Sequence, residues 1–294
     1  MLSILIPTYQ HNITNLVNEV HTQCTEAECD FEILIVEDGS TQFLKENSTI
    51  STKTNVDYVP SANNIGRTAA RNFMAEKAKY NWLLFLDADV IITKNNFIST
   101  YLDAIKVEVF DLAYGGICYT PSLPSTKVSL RWKYGKKREE KNVNQRLKSP
   151  YDVISQNILT KKETFLKSNI HLDNKYGIDI IFCNELRKAK TKILHINNTV
   201  IHQGLETNDQ FLKKSLSGIE TTHFYEEKGV IDSEARPLQK TYGRLKKIGL
   251  VQPLQFFVNR FRNSIQNNLL SNNPSIFLFD LYRLYYYVRL KSTK

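Results

Sequence analysis

No run of 18 or more consecutive apolar, uncharged residues occurs in the chain, so no segment reads as a helix that crosses a bilayer. The first ten residues, MLSILIPTYQ, lack a basic leader and a long apolar stretch, so a signal peptide is not expected there. Cysteine is scarce. Cys24, Cys29, Cys118 and Cys183 are the whole complement, without a CxxC pair. That excludes a dense disulfide framework and suits a reducing cytosol, and a zinc site built on Cys24 and Cys29 would need further ligands. Internal repeats and low-complexity tracts are also missing, which excludes a repeat array. Acid is nearly missing from one end: residues 240–294 carry 10 basic side chains and 1 acidic one.

What is present describes a globular protein. At 294 residues and 41% hydrophobic content the chain can bury a sizeable core, as one large domain or one domain with an appendage. The net charge of +9 is unevenly spread. Residues 1–126 hold 8 basic and 15 acidic side chains, residues 127–148 hold 9 and 2, and residues 149–239 balance at 12 and 12. A nucleic-acid binder more often spreads its basic face over the core domain. Basic charge confined to a mid-chain segment and a tail suggests an anionic surface met at the edge of the protein.

Over the first 120 residues, short apolar runs alternate with helix-period segments. Leu2–Ile6, Phe31–Val36, Val56–Val59 and Trp82–Leu86 read as strands, and residues 112–119 as a further one. Ile13, Leu16, Val17, Val20 and Cys24 share one helix face behind a candidate cap at Asn12. A second helix is expected from Asn64 and a third from Asn96 to Val107. Alternation of this kind argues a parallel α/β sheet, whose ligands bind beyond the carboxyl ends of the strands. Polar groups gather at those ends: Pro7-Thr8-Tyr9, Glu37-Asp38 and Asp87-Ala88-Asp89. The basic stretch 123–150 lacks clear periodicity and reads as a loop. Helices near 162–167 and 179–189 and a strand over 192–196 follow, then an apolar run ending at His202.

In NWLLFLDADVII, two carboxylates one residue apart follow a buried strand. Leaving them unpaired there would cost several kcal/mol. Such a pair binds a hard divalent cation through oxygen, and the alternative is a polar turn capping the next helix. In NNIGRTAARN, Arg67 and Arg71 stand at i and i+4 near a helix start, where an anion fits; a solvated helix face is the alternative.

Taken together and in order, SILIPTY, EILIVEDGST, NNIGRTAARN, WLLFLDADV, YGIDIIFCNEL and VIHQGLE resemble glycosyltransferase family 2 over residues 2–206. The resemblance implies an α/β GT-A nucleotide-sugar transferase domain over 1–230, with 231–294 as a basic, aromatic-rich helical C-terminal extension. It implies that Pro7, Thr8 and Tyr9 line the base pocket and that Asp38 accepts a hydrogen bond from the base. Asn64, Arg67, Arg71, Asp87 and Ala88 are implied on the donor side. Asp87 and Asp89, completed by His202, are implied to hold Mn²⁺ or Mg²⁺, and the imidazole nitrogen favours Mn²⁺. Asp179 falls on the family's general base, but Ile178 stands where a Glu is usual and the loop is one residue short. His11, His21, His171, His195 and His223 are expected to be structural.

The implied activity is inverting, metal-dependent transfer of a sugar from a nucleotide-diphosphate donor, UDP-linked, to a hydroxyl of a glycan or lipid-linked acceptor. Two alternatives stand beside it: a degenerate transferase fold that only binds at a membrane, and a DxD phosphatase of the haloacid-dehalogenase type. The basic tail implies a cytoplasmic protein held peripherally on the membrane, with no nucleic-acid partner. The sequence leaves donor sugar, acceptor and linkage open.

Overall fold

A computed structural model describes residues 1–171 and 173–292 of the chain; Lys294, which the sequence counts among the basic flanks of the tail, lies outside the described residues. Among the described residues, ten strands form two sheets: β1 (Leu2–Thr8), β2 (Phe31–Asp38), β3 (Val56–Ser61), β4 (Trp82–Leu86), β5 (Val90–Ile91), β6 (Leu112–Tyr114), β7 (Ile117–Cys118), β8 (Asn157–Lys161), β9 (Ile193–His195) and β10 (Val200–His202). The large sheet runs β3-β2-β1-β4-β8-β6-β9. Its first four strands are mutually parallel, with Leu5 beside both Leu34 and Phe85. β8 then lies antiparallel to both β4 and β6, and β9 returns parallel to β6. Leu83, Leu84, Phe85 and Leu86 are fully buried, which explains why β4 reads as an unbroken apolar run rather than an alternating one.

By internal packing the chain divides into two compact units. The first comprises Met1–Tyr119, Glu140–Asn174 and Glu185–Gly204 and contains both sheets. The second comprises Thr120–Glu139, Lys175–Asn184 and Leu205–Lys294. The boundary expected at 230/231 therefore falls inside the second unit.

The second unit is helical. Its core gathers Leu130, Phe211, Val258, Ile265, Leu269 and Phe279, and Phe211 stacks on Phe279 at 5.4 Å. The helix Asn208–Glu227 starts from a capping box, in which Thr207 and Gln210 exchange side-chain and backbone hydrogen bonds. Pro253 does not break a helix; it sits in the first turn of Val251–Arg260, where the missing N–H had no intrahelical partner to lose.

Several elements differ from expectation. The basic stretch is no loop: it carries helices at Ser129–Tyr134 and Val143–Arg146, the latter capped reciprocally by Asn142 and Gln145. Four residues are too few to show a period, so no pattern could reveal it. Residues 112–119 are two strands parted at Gly115-Gly116. There Gly116 has φ +89°, and a Cβ on Gly115 would come within 2.4 Å of the Asn198 carbonyl. The helix expected from Asn64 begins at Arg67, because Asn64–Gly66 is spent on a loop that binds Asp38.

Candidate functional site

β1, β2 and β4 end side by side and deliver the polar residues of the first unit. At the end of β1, Thr8 is buried and its hydroxyl turns back to the Ile6 carbonyl at 3.4 Å, while Tyr9 is more than half exposed. At the end of β2, Asp38 is buried and both carboxylate oxygens are engaged: Oδ1 accepts from the Ile65 N–H at 2.7 Å and Oδ2 from the Gly66 N–H at 2.9 Å. Its carbonyl accepts from Asn64 Nδ2 at 2.9 Å. Asp38 is thus the clamp of the loop that opens the Arg67 helix. Gly39, at φ +71°, permits the close approach, since a Cβ there would lie 2.5 Å from the Asn64 nitrogen. The neighbouring Glu37 is fully buried and receives Ser40, Asn47 and Tyr58.

The two carboxylates after β4 have separate partners. Asp87 receives the guanidinium of Arg71 on Oδ1, and Arg67 lies 3.5 Å from Oδ2. Arg71 is buried and also donates to the Ser155 hydroxyl at 2.5 Å and the Ser155 carbonyl at 3.1 Å. Arg67 remains half-exposed. Asp89 pairs instead with His202, with 3.1 Å between Oδ2 and Nε2. The small sheet makes this pair. β5 follows Asp89 at once, β10 runs antiparallel to it with His202 opposite Val90, and the Gln203 N–H donates to the Asp89 carbonyl at 2.9 Å. His202 is buried against Tyr119, whose ring meets it edge-on at 5.6 Å and whose hydroxyl lies 3.3 Å from Nδ1.

The expected three-ligand set of Asp87, Asp89 and His202 is therefore not assembled. Two arginines neutralise Asp87, and no group of three or more His, Cys, Asp or Glu able to hold a metal occurs among the described residues. Asp89 and His202 leave one donor atom open: both ring nitrogens of His202 are engaged, Nε2 with Asp89 Oδ2 and Nδ1 with the Tyr119 hydroxyl, and one Asp89 oxygen is left over. Asp89 Oδ1 is buried without a hydrogen-bond partner among the described residues. Burial opposes ionisation of Asp89, yet the hydrogen bond and charge of His202, with a contribution from His11, hold its carboxyl below the ordinary range. The open Asp89 oxygen suits a divalent cation, and His202 would join it as a ligand once Nε2 leaves Asp89, with the remaining ligands coming from elsewhere.

Sequence reading missed three participants. His11 was set aside as structural, Ser155 had no motif, and Gly204 was passed over. A Cβ on Gly204 would fall 1.7 Å from Asp89 Oδ2, so only glycine leaves that carboxylate in place.

Asp179 opens the helix Asp179–Lys188 and belongs to the second unit. Ile178 is buried with Ile181, Tyr225 and Ile231, which accounts for an apolar residue at that position. Gly177 takes φ +83° against Gly218, and its carbonyl accepts from Arg236 at 3.2 Å. Burial lowers the Arg236 pKa, and the charge of Asp179 acts in the opposite sense.

Residues 3–167 match the family Glycosyl transferase family 2, and the chain belongs to that family. A teichoic acid poly(glycerol phosphate) polymerase of Staphylococcus epidermidis is 26% identical over 227 residues, which are 74% of this chain and 30% of that protein. An uncharacterized glycosyltransferase of Rickettsia felis is 29% identical over 118 residues, 36% of this chain and 19% of that protein. The chain thus spans less than a third of the length of these curated relatives. Among solved structures, glucosyl-3-phosphoglycerate synthase of Mycobacterium tuberculosis, crystallised with Mn²⁺, UDP and glucosyl-3-phosphoglycerate, superposes with a TM-score of 0.53. That alignment has 13% identity and covers 79% of this chain and 81% of that one. It supports the GT-A-like α/β fold expected from the sequence. Family membership sets aside the phosphatase alternative. No helix among the described residues is long and apolar enough to cross a membrane.

Proposed function

We propose that the chain is an inverting, divalent-cation-dependent glycosyltransferase that takes a sugar from a UDP-linked donor to a hydroxyl of a glycan or lipid-linked acceptor. The observation that carries this is the Asp89–His202 pair at the end of β4, with its buried, unpartnered carboxylate oxygen. A divalent cation held by Asp89 Oδ1 and His202 would neutralise charge on the departing diphosphate. Mn²⁺ and UDP in the mycobacterial synthase of like fold agree with that cofactor and donor. Pro7, Thr8 and Tyr9 would flank the base. Asp38 would act through the loop it clamps, with Asn64 on that loop. Ala88, between the two carboxylates, would lie along the donor. Asp87 would hold Arg67 and Arg71 in place, leaving the exposed Arg67 to meet a phosphate.

In the transfer step the acceptor oxygen attacks the anomeric carbon as the bond from that carbon to the diphosphate oxygen breaks. The acceptor proton would pass to a carboxylate base, the role that the family pattern gives Asp179, and configuration inverts. An acceptor carried on a lipid would bring the protein, peripherally, to the cytoplasmic face of a membrane.

The buried Ile178 favours a second reading, a fold that binds donor without turnover. Release of UDP from a panel of UDP-sugars with added Mn²⁺ separates the two. Turnover of at least one donor is expected, and donor binding without UDP release under any acceptor condition would favour the second.

A further inference from the structure

The segment from Arg244 to Arg262 joins two features seldom found together on a protein surface. The first is exposed apolar area. Val258 is fully buried in the core of the second unit, whereas Phe256, on the opposite face of the same helix, and Phe257, on its flank, are 77% and 49% exposed. Phe261 (45%) lies a turn beyond, with its ring 5.0 Å from that of Phe257. Ile248 (65%) and Leu250 (45%) occupy the preceding turn. Positions 250, 257 and 261 recur at i, i+7 and i+11, so Leu250, Phe257 and Phe261 follow one side of the segment. The core contacts of this helix are already met by Val258 and Leu254, so these rings are surplus to packing.

The second feature is positive charge without acidic partners, although Arg260 lies over the Phe261 ring at 5.8 Å. Arg244, Lys246, Lys247, Arg260 and Arg262 are all exposed, and none has an ion pair among the described residues. No acidic residue occurs between Glu234 and Asp280. The other basic residues of the tail differ: Lys291 reaches Glu226 and Glu227, and Arg283 lies 3.8 Å from Asp280.

We infer that this segment is a docking surface for an anionic bilayer, with Phe256, Phe257 and Phe261 entering the headgroup region and the five cations facing lipid phosphates. Aromatic rings flanked by Lys and Arg are the composition of an interfacial anchor. A second copy of the chain fits poorly, because a two-fold contact would set five cations against five. A single-stranded nucleic acid could stack on the Phe rings, but it would leave the aliphatic Ile248 and Leu250 in water, which a bilayer would bury. The inference deepens the proposal of a lipid-linked acceptor by naming the surface that would reach it.

The test is flotation of the 294-residue chain with phosphatidylcholine vesicles, with and without phosphatidylglycerol, in low and high salt and without any sugar donor. The chain should float with the anionic vesicles in low salt and lose binding in high salt. The F256S/F257S variant should bind at least about tenfold more weakly. Each of Lys246→Ala and Lys247→Ala should cost about fivefold in low salt. Circular dichroism should leave these variants unchanged, since every altered side chain is exposed. Should F256S/F257S misfold, F256W supplies a second readout: its added indole emission should shift to the blue with anionic vesicles only. Equal flotation on neutral vesicles, no flotation at all, or self-association that F256S/F257S abolishes without vesicle binding would each overturn the inference. Flotation and UDP release fail independently. UDP release without flotation defeats this surface and leaves the transferase standing, whereas flotation without UDP release does the reverse.

Discussion

Asp87 and Asp89 are separated by one residue, and they do unlike work. Asp87 is the anchor of two guanidiniums, and Asp89 is the half-buried partner of an imidazole with one oxygen open. Their substitutions should part accordingly. Arg71→Ala leaves Asp87 buried with only the exposed Arg67 beside it, so it should destabilise the fold by about 3 kcal/mol or more, measured by urea denaturation. His202→Ala and Gly204→Ala should instead remove the Mn²⁺ dependence of UDP binding, the second because its methyl would occupy the place of Asp89 Oδ2. Calorimetric titration of UDP with and without Mn²⁺ checks both. Asp179→Asn keeps the shape of the side chain and removes the proposed base. Transfer should fall by roughly 10²–10⁴-fold with donor binding near normal, and an Asn variant at full rate would reduce Asp179 to a helix-terminal carboxylate.

Strand ends and the loops behind them do the positioning, and they also mark where the sequence could be read. β1, β2 and β4 are buried on both faces and bounded by turn residues, so their apolar runs alone locate three polar clusters at one sheet edge. His202 was legible through the family pattern, yet its pairing with Asp89 rests on β5 and β10, strands of two and three residues whose antiparallel contact no local periodicity encodes. β8 was missed for a related reason. Its residues 157–160 are buried throughout, with Asn157 and Thr160 among them, so it shows neither alternation nor an apolar run. That Asp38 clamps a loop and Asp87 holds two guanidiniums was not legible, because sequence does not show which backbone or guanidinium groups reach a carboxylate.

Two changes test these elements. Gly39→Ala should cost about 1–2 kcal/mol through its left-handed φ, and more through the clash with Asn64, and should loosen the loop that Asp38 clamps. At the far end of the sheet, the Lys161 hydrogen bond, assisted by the Lys192 N–H and both lysine charges, holds the Asp111 carboxyl below its ordinary range against partial burial. A depressed carboxyl stabilises the fold above its unfolded value, and that contribution disappears as pH falls through the folded value. Asp111→Asn should therefore cost about 0.5 kcal/mol near neutrality, for a part-exposed pair, and nothing in strong acid.

Across the whole molecule, charge is sorted. The first 126 residues are acidic, although they contain Arg67 and Arg71, and residues 240–294 are almost purely basic. A carboxylate such as Asp89 repels a nearby diphosphate unless a cation stands between them, which is the electrostatic reason to expect a divalent cation at Asp89 and His202. The most direct measurement is thermal unfolding of the wild-type chain and the Asp89→Ala variant with saturating UDP, with and without Mn²⁺. At a ligand concentration about 100 times Kd, binding to the native state adds about 2.7 kcal/mol. The expected result is a clear rise in Tm for the wild type with UDP and Mn²⁺ together, little with either alone, and none for Asp89→Ala. An equal rise with and without Mn²⁺, or one that survives in Asp89→Ala, would contradict the assignment of Asp89 and His202 as the cation site that holds a nucleotide-sugar donor.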